Sequence, residues 1–139
     1  MTKKEHMSQL ANYMKELDFC MMTTADGNGT MISRPMSNNR NVEYDGDSYF
    51  FSHSDTMKVR HLQNSSICNL VYQTDDMLFI QVYGHADLLT SRSMMEPYWQ
   101  DDLKAWFEDG LDTEGLCLIR VRAKTIRYWH KEKEGVIEM

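Results

Sequence analysis

Residues 48–62 read Ser48-Tyr49-Phe50-Phe51-Ser52-His53-Ser54-Asp55-Thr56-Met57-Lys58-Val59-Arg60-His61-Leu62. The opening five residues are β-prone and follow the turn pair Asp45-Gly46, which predicts a strand over Ser48–Ser52. Ser54-Asp55-Thr56 then has the chemistry of a helix start, with Val59 and Leu62 turned inward and the helix fading near Asn64-Ser65. A helix start is also an electrostatic feature. Its first turn has unpaired N–H groups and the positive end of the macrodipole, and both favour an anion. Lys58 lies within that turn, Thr56 adds a hydroxyl, and Ser52 ends the strand before it. These are donors that suit a phosphate monoester. The same residues also fit a plainer description, in which Lys58 is a surface charge and Asp55-Thr56 only a cap.

Outward from this stretch the chain is short elements separated by turns. An amphipathic helix comes first, with Met7, Leu10, Ala11, Met14 and Leu17 on one stripe. Phe19–Thr24 is β-prone, Ala25-Asp26-Gly27-Asn28-Gly29 suits a hairpin loop, and Thr30–Ser37 is the returning strand. Its alternation places Ile32, Arg34 and Met36 on one face and Ser33 and Pro35 on the other. Arg34 thus offers a second cation for the same anion, or again an ordinary surface charge. Beyond the short helix, Ile67–Tyr72 and Met77–Leu89 are predicted strands around a Thr74-Asp75-Asp76 turn. Gly84 inside the longer one marks a bulge or a close backbone approach. Met95, Trp99, Leu103 and Trp106 recur at helical spacing in Ser91–Phe107; Pro97 sets the expected helix start near Glu96, and Gly110 its end. Leu116–Val121 and Thr125–Trp129 are expected as two closing strands. The order predicts one α+β domain over residues 1–139, with a mostly antiparallel sheet of about six strands curled into a small barrel and flanked by helices.

Composition narrows the function. At 139 residues with a formal charge of −6, the chain is one domain and a poor general nucleic-acid binder. No apolar run approaches the roughly 20 residues of a membrane-spanning helix, and Met1-Thr2-Lys3-Lys4-Glu5-His6 leads into no signal-peptide core. Cys20, Cys68 and Cys117 are distant from one another and set in apolar stretches, the pattern of reduced thiols in a cytoplasmic protein. Twelve methionines suit plastic core packing. His53, His61 and His85 show no metal-ligand spacing, and no metal site is expected. Phe50, Phe51, Tyr83, Trp106, Tyr128 and Trp129 supply either core or the wall of a planar ligand. No nucleophile–base pair is legible, and no catalytic residue is assigned.

Four pieces in this order carry a resemblance: Ser33-Arg34-Pro35-Met36, Phe50-Phe51-Ser52, Thr56-Met57-Lys58-Val59 and Tyr128-Trp129. With Tyr98–Phe107, Asp112 and Leu116–Val121, the set from Phe19 to His130 resembles the pyridoxamine-phosphate-oxidase-like flavin-binding split barrels, in their bacterial general stress protein branch. The resemblance implies a split-barrel homodimer with two FMN sites at the subunit interface, FAD being the alternative cofactor. It implies that Ser33, Arg34, Pro35 and Met36 lie beneath the flavin. Phe51, Ser52, Thr56 and Lys58 would form the phosphate stretch, with Lys58 the phosphate lysine. Trp129, with Trp106, would be contributed by the partner subunit. The sequence also departs from the true oxidases. Where they carry a basic R-x-H-D-R-like segment, this chain has His130-Lys131-Glu132-Lys133-Glu134-Gly135, and Met57 replaces an arginine. That argues against pyridoxamine phosphate as the substrate.

Three functions follow as expectations. One is an FMN-dependent oxidoreductase exchanging electrons with a small-molecule donor or acceptor. Another is a flavin-binding or flavin-buffering module without turnover. The last keeps the barrel and exchanges the ligand for haem or a deazaflavin.

Overall fold

The computed structural model describes residues 2–39 and 43–139. Helix α1 (Lys3–Met14) is capped by Thr2, whose hydroxyl accepts from the Glu5 amide, and it buries Leu10 and Met14 of the expected stripe. Seven strands follow: β1 (Phe19–Ala25), β2 (Met31–Ser37), β3 (Asp47–His53), β4 (Ile67–Gln73), β5 (Leu78–Leu89), β6 (Leu116–His130) and β7 (Lys133–Glu138). Helix α2 (Met57–Asn64) lies between β3 and β4, and α3 (Arg92–Met95) follows β5.

All pairings are antiparallel, in the spatial order β2-β1-β4-β5-β6-β3, with β7 continuing beyond β3 along the same side of β6. This is the α+β split barrel. The sheet curls around a core of Met22, Leu70, Ile80, Val82, Ile119 and Ile126, all but sealed from water. α1 and α2 cover that inner side through Leu10, Met14, Val59 and Leu62. A second, smaller core lies on the opposite face of β3 and the start of β6, where Tyr49, Phe51 and Leu118 meet Met95 and Phe107. β3 is therefore buried on both faces, and β2 and β3 are the two ends of the strand order.

Gly84 meets both readings of its role. The register shifts between Tyr83 and Gly84, and a Cβ there would lie 1.9 Å from the Arg122 carbonyl oxygen. The backbones of β5 and β6 approach closely because nothing stands between them.

Three expectations are corrected. Residues 91–107 form no continuous helix. Only Arg92–Met95 is α-helical, and 3-10 turns occupy Glu96–Tyr98, Asp101–Ala105 and Gly110–Asp112. Pro97 withholds an N–H, and Trp99 and Gln100 are extended, so the backbone ladder breaks. The apolar periodicity reports real burial nonetheless, since Trp99 and Leu103 pack on the second core. The two closing strands are one 15-residue strand, β6, continuous through Arg122-Ala123-Lys124 because β5 pairs with it along nearly its whole length. β7 was not anticipated: half of its residues are charged and only Ile137 is buried, so it lacks a strand's apolar signal.

Candidate functional site

The two terminal strands of the sheet border a groove of about 1080 Å³. On one side are Pro35 and Met36 at the end of β2; on the other are Phe51 and Ser52 of β3, followed by Thr56 and Lys58 of α2. Trp106, largely exposed, lines it from the 3-10 segment. The local sequence explains this placement. β3 ends where Ser52 and Thr56 share a hydrogen-bonded turn: both hydroxyls donate to the His53 carbonyl at 3.0 Å and lie 3.3 Å apart. Thr56 then serves as the N-cap of α2 without a side-chain bond into the helix. The first-turn amides keep their N–H groups available.

Lys58 is half-buried in that turn. Its ammonium is held below the usual lysine range, chiefly by burial and then by the Arg34 guanidinium. Arg34 reaches inward from β2, and its Nη1 donates to Thr24 Oγ1 at 2.7 Å and more distantly to the Met22 carbonyl. Burial also lowers its own titration range. Its other terminal nitrogen, Nη2, is buried and has no hydrogen-bond partner among the described residues. Nor does either cation pair with a carboxylate among those residues. Two partly buried cations without a carboxylate partner among those residues, one of them with an orphaned buried donor, are costly without an anion. Cys117, opposite Ser52 on β6, lies near Lys58 and Ser54, and burial pushes its thiol upward.

Of the ten residues singled out from the sequence, Pro35, Met36, Phe51, Ser52, Thr56, Lys58 and Trp106 line this groove. Arg34 does not line the groove; it lies behind the lining, near enough for its charge to depress Lys58. Ser33 faces away, bonded through its hydroxyl to Thr23 at 2.6 Å. Trp129 is elsewhere, on the outer face of the sheet opposite Phe79 and 40 % exposed. The three histidines considered from the sequence are engaged singly: His61 with Thr24, His85 with Ser66, and His53 against the Phe107 ring at 4.8 Å. No cluster of three metal-ligating side chains occurs among the described residues. Sequence reasoning missed Thr24 and His61. It also missed the aromatic flank, where Tyr49 and Tyr98 stack at 3.8 Å.

The family model for pyridoxamine 5'-phosphate oxidase like proteins matches residues 5–139. The chain belongs to this family. Among solved structures, a protein from Clostridium acetobutylicum related to general stress protein 26 of B. subtilis superposes with a TM-score of 0.85. It is 16 % identical, over 100 % of this chain and 97 % of its own. The general stress FMN/FAD binding protein of Xanthomonas citri gives 0.78 at 23 % identity, covering 94 % and 92 % of the two chains. At those identities the likeness establishes the fold. Protein bli-3 of Neurospora crassa is 26 % identical over 136 residues, and the match spans 89 % of this chain and 64 % of that protein.

Proposed function

We propose that the groove binds FMN, with its phosphate on Lys58, Arg34, Ser52, Thr56 and the first-turn amides of α2. The observation that carries this reading is the unpaired, buried Arg34 Nη2, whose charge is felt at a lysine that has no counter-ion among the described residues. A phosphate monoester with nearly two negative charges answers both deficits. The groove is roomy enough, since ligand clefts run from about 300 to 1,000 Å³. When bound, the flavin supplies hydride and single-electron chemistry. The chain holds and orients it. Met36 and Pro35 form the floor on one side, Phe51 excludes water on the other, and Trp106 borders the open end.

The function is electron exchange between this flavin and a small-molecule donor or acceptor, in the cytoplasm. Pyridoxamine phosphate does not fit as the substrate. After Tyr128-Trp129 the chain makes a tight hairpin, with Lys131 at φ 58°, into β7, where the true oxidases carry their basic segment.

A second copy of the chain completes the site. The outer face of the sheet is covered by residues 92–112 at one end only. At the other end Phe19, Met21, Met31, Ile67, Trp129 and Val136 share that face and are 40–69 % exposed. So broad an apolar surface marks an interface. A homodimer buries it and lets Trp129 reach the partner's groove.

Titration with FMN and with riboflavin tests the reading. FMN is expected to bind more tightly by at least about tenfold, the weight of one charge-assisted hydrogen bond. Equal affinities, or none, would refute the phosphate cradle.

A further inference from the structure

We propose that Thr24 and His61 are positioning residues for the Arg34 guanidinium. Selection of a phosphate-bearing flavin then depends on a buried hydroxyl that does not itself touch the ligand. This rests on the phosphate cradle proposed above.

Arg34 projects from β2, at the end of the strand order, toward another cation, a position it would leave for solvent if nothing held it. What holds it is Thr24, only 1 % exposed and therefore without recourse to water. The hydroxyl has one proton and two lone pairs. One lone pair accepts Arg34 Nη1–H at 2.7 Å. The hydroxyl's other bond is with His61 Nδ1 at 2.9 Å, given to or taken from the imidazole according to the tautomer. The imidazole is itself buried, so the chain His61–Thr24–Arg34 is fixed from α2 through β1 to β2.

Two features set this chain apart from an ordinary satisfied core network. Its Arg34 end is unfinished, since the buried Nη2 remains without a partner among the described residues and the Arg34 charge is felt at Lys58, which does line the groove. It also begins on α2, where His61 lies three residues after Lys58 and so on the same helix face. One helix thereby supplies one phosphate cation directly and sets the second through Thr24. The two donors are held in register by a single rigid element.

The test compares FMN and riboflavin dissociation constants, by flavin fluorescence, for the full chain and for Thr24→Val, Thr24→Ser and His61→Leu. Valine keeps the shape of threonine and removes the hydroxyl; serine keeps the hydroxyl. Thr24→Val is expected to weaken FMN binding about tenfold and to leave riboflavin binding within about twofold. Thr24→Ser should restore the preference, and His61→Leu should lose part of it. If Thr24→Val does not fold, the His61→Leu and Thr24→Ser ratios decide alone. Retained preference in Thr24→Val or His61→Leu, equal loss for both ligands, or no rescue by serine would overturn the inference. A wild-type chain with no preference for FMN would instead overturn the cradle.

Discussion

Lys58 is a residue whose position works against the folded protein and in favour of a ligand. Its ammonium is lowered by burial first and by Arg34 second. A lysine whose folded-state range is depressed costs stability, and that cost is complete below the depressed value and is relieved as pH rises from it toward the ordinary lysine range. At neutral pH the apo-protein therefore carries the penalty, and a bound phosphate removes it. Lys58→Met keeps the apolar stem and deletes the charge. It should raise the apo-protein's Tm by a few degrees, the usual trade between stability and site. It should also weaken FMN binding by about 1.5–3 kcal/mol, as for a charge-assisted bond. Thermal melts and flavin titrations check the two halves separately. A variant that melts lower and binds FMN unchanged would show Lys58 to be a structural cation. At this scale the sequence was informative where the donors are contiguous: Ser52, Thr56 and Lys58 fall within seven residues. Thr24 and His61 are 37 residues apart and carry no periodic signal, so their hydrogen bond emerges only from the packing of α2 on β1.

Among the elements, β5 and β6 organise the barrel. They form the longest pairing, and Gly84 is where their backbones come nearest. Gly84→Ala would drive a methyl into the Arg122 carbonyl, where the nearest atoms are all backbone of β6 and no flexible group can move aside. The expected loss is about 2 kcal/mol or more of unfolding free energy, toward the upper end of overpacking costs. Denaturant melts would measure it, and an unchanged midpoint would mean that the bulge relaxes freely. Gly84 was legible because a lone glycine in a β-prone run marks a bulge or a close backbone approach and little else. The 92–112 segment was half legible. Its burial follows the helical periodicity of Met95, Trp99 and Leu103, while Pro97 and the extended pair Trp99-Gln100 convert the backbone to short turns. β7 was illegible because Lys133-Glu134-Gly135-Val136-Ile137-Glu138 buries one side chain and is recruited by the free edge of β6, a tertiary effect.

For the whole molecule, the outer sheet face separates into two ends of different character. The end under residues 92–112 is closed by Met95 and Phe107, and the end bearing Phe19, Met21 and Trp129 is open. A second copy accounts for the open end. Trp129→Ala should weaken dimerisation and alter the spectrum of bound flavin, read by analytical ultracentrifugation and visible absorption. A variant that stays dimeric with an identical flavin spectrum would place Trp129 outside both the interface and the site. Alternation along β1 and β6 placed these residues on one face, but which face meets solvent depends on where the helices pack. No helix among the described residues is long and apolar enough to cross a membrane.

A phosphate held between Arg34 and Lys58 is the centre of the functional assignment. Calorimetric titration of the wild-type chain with FMN and with riboflavin isolates that contact, because the two ligands differ only in the phosphate. A preference for FMN of about tenfold or more is predicted, with the advantage diminishing at high salt as expected for charge pairing. Equal affinity for the two flavins would contradict it, and would leave the paired cations of the groove without a ligand.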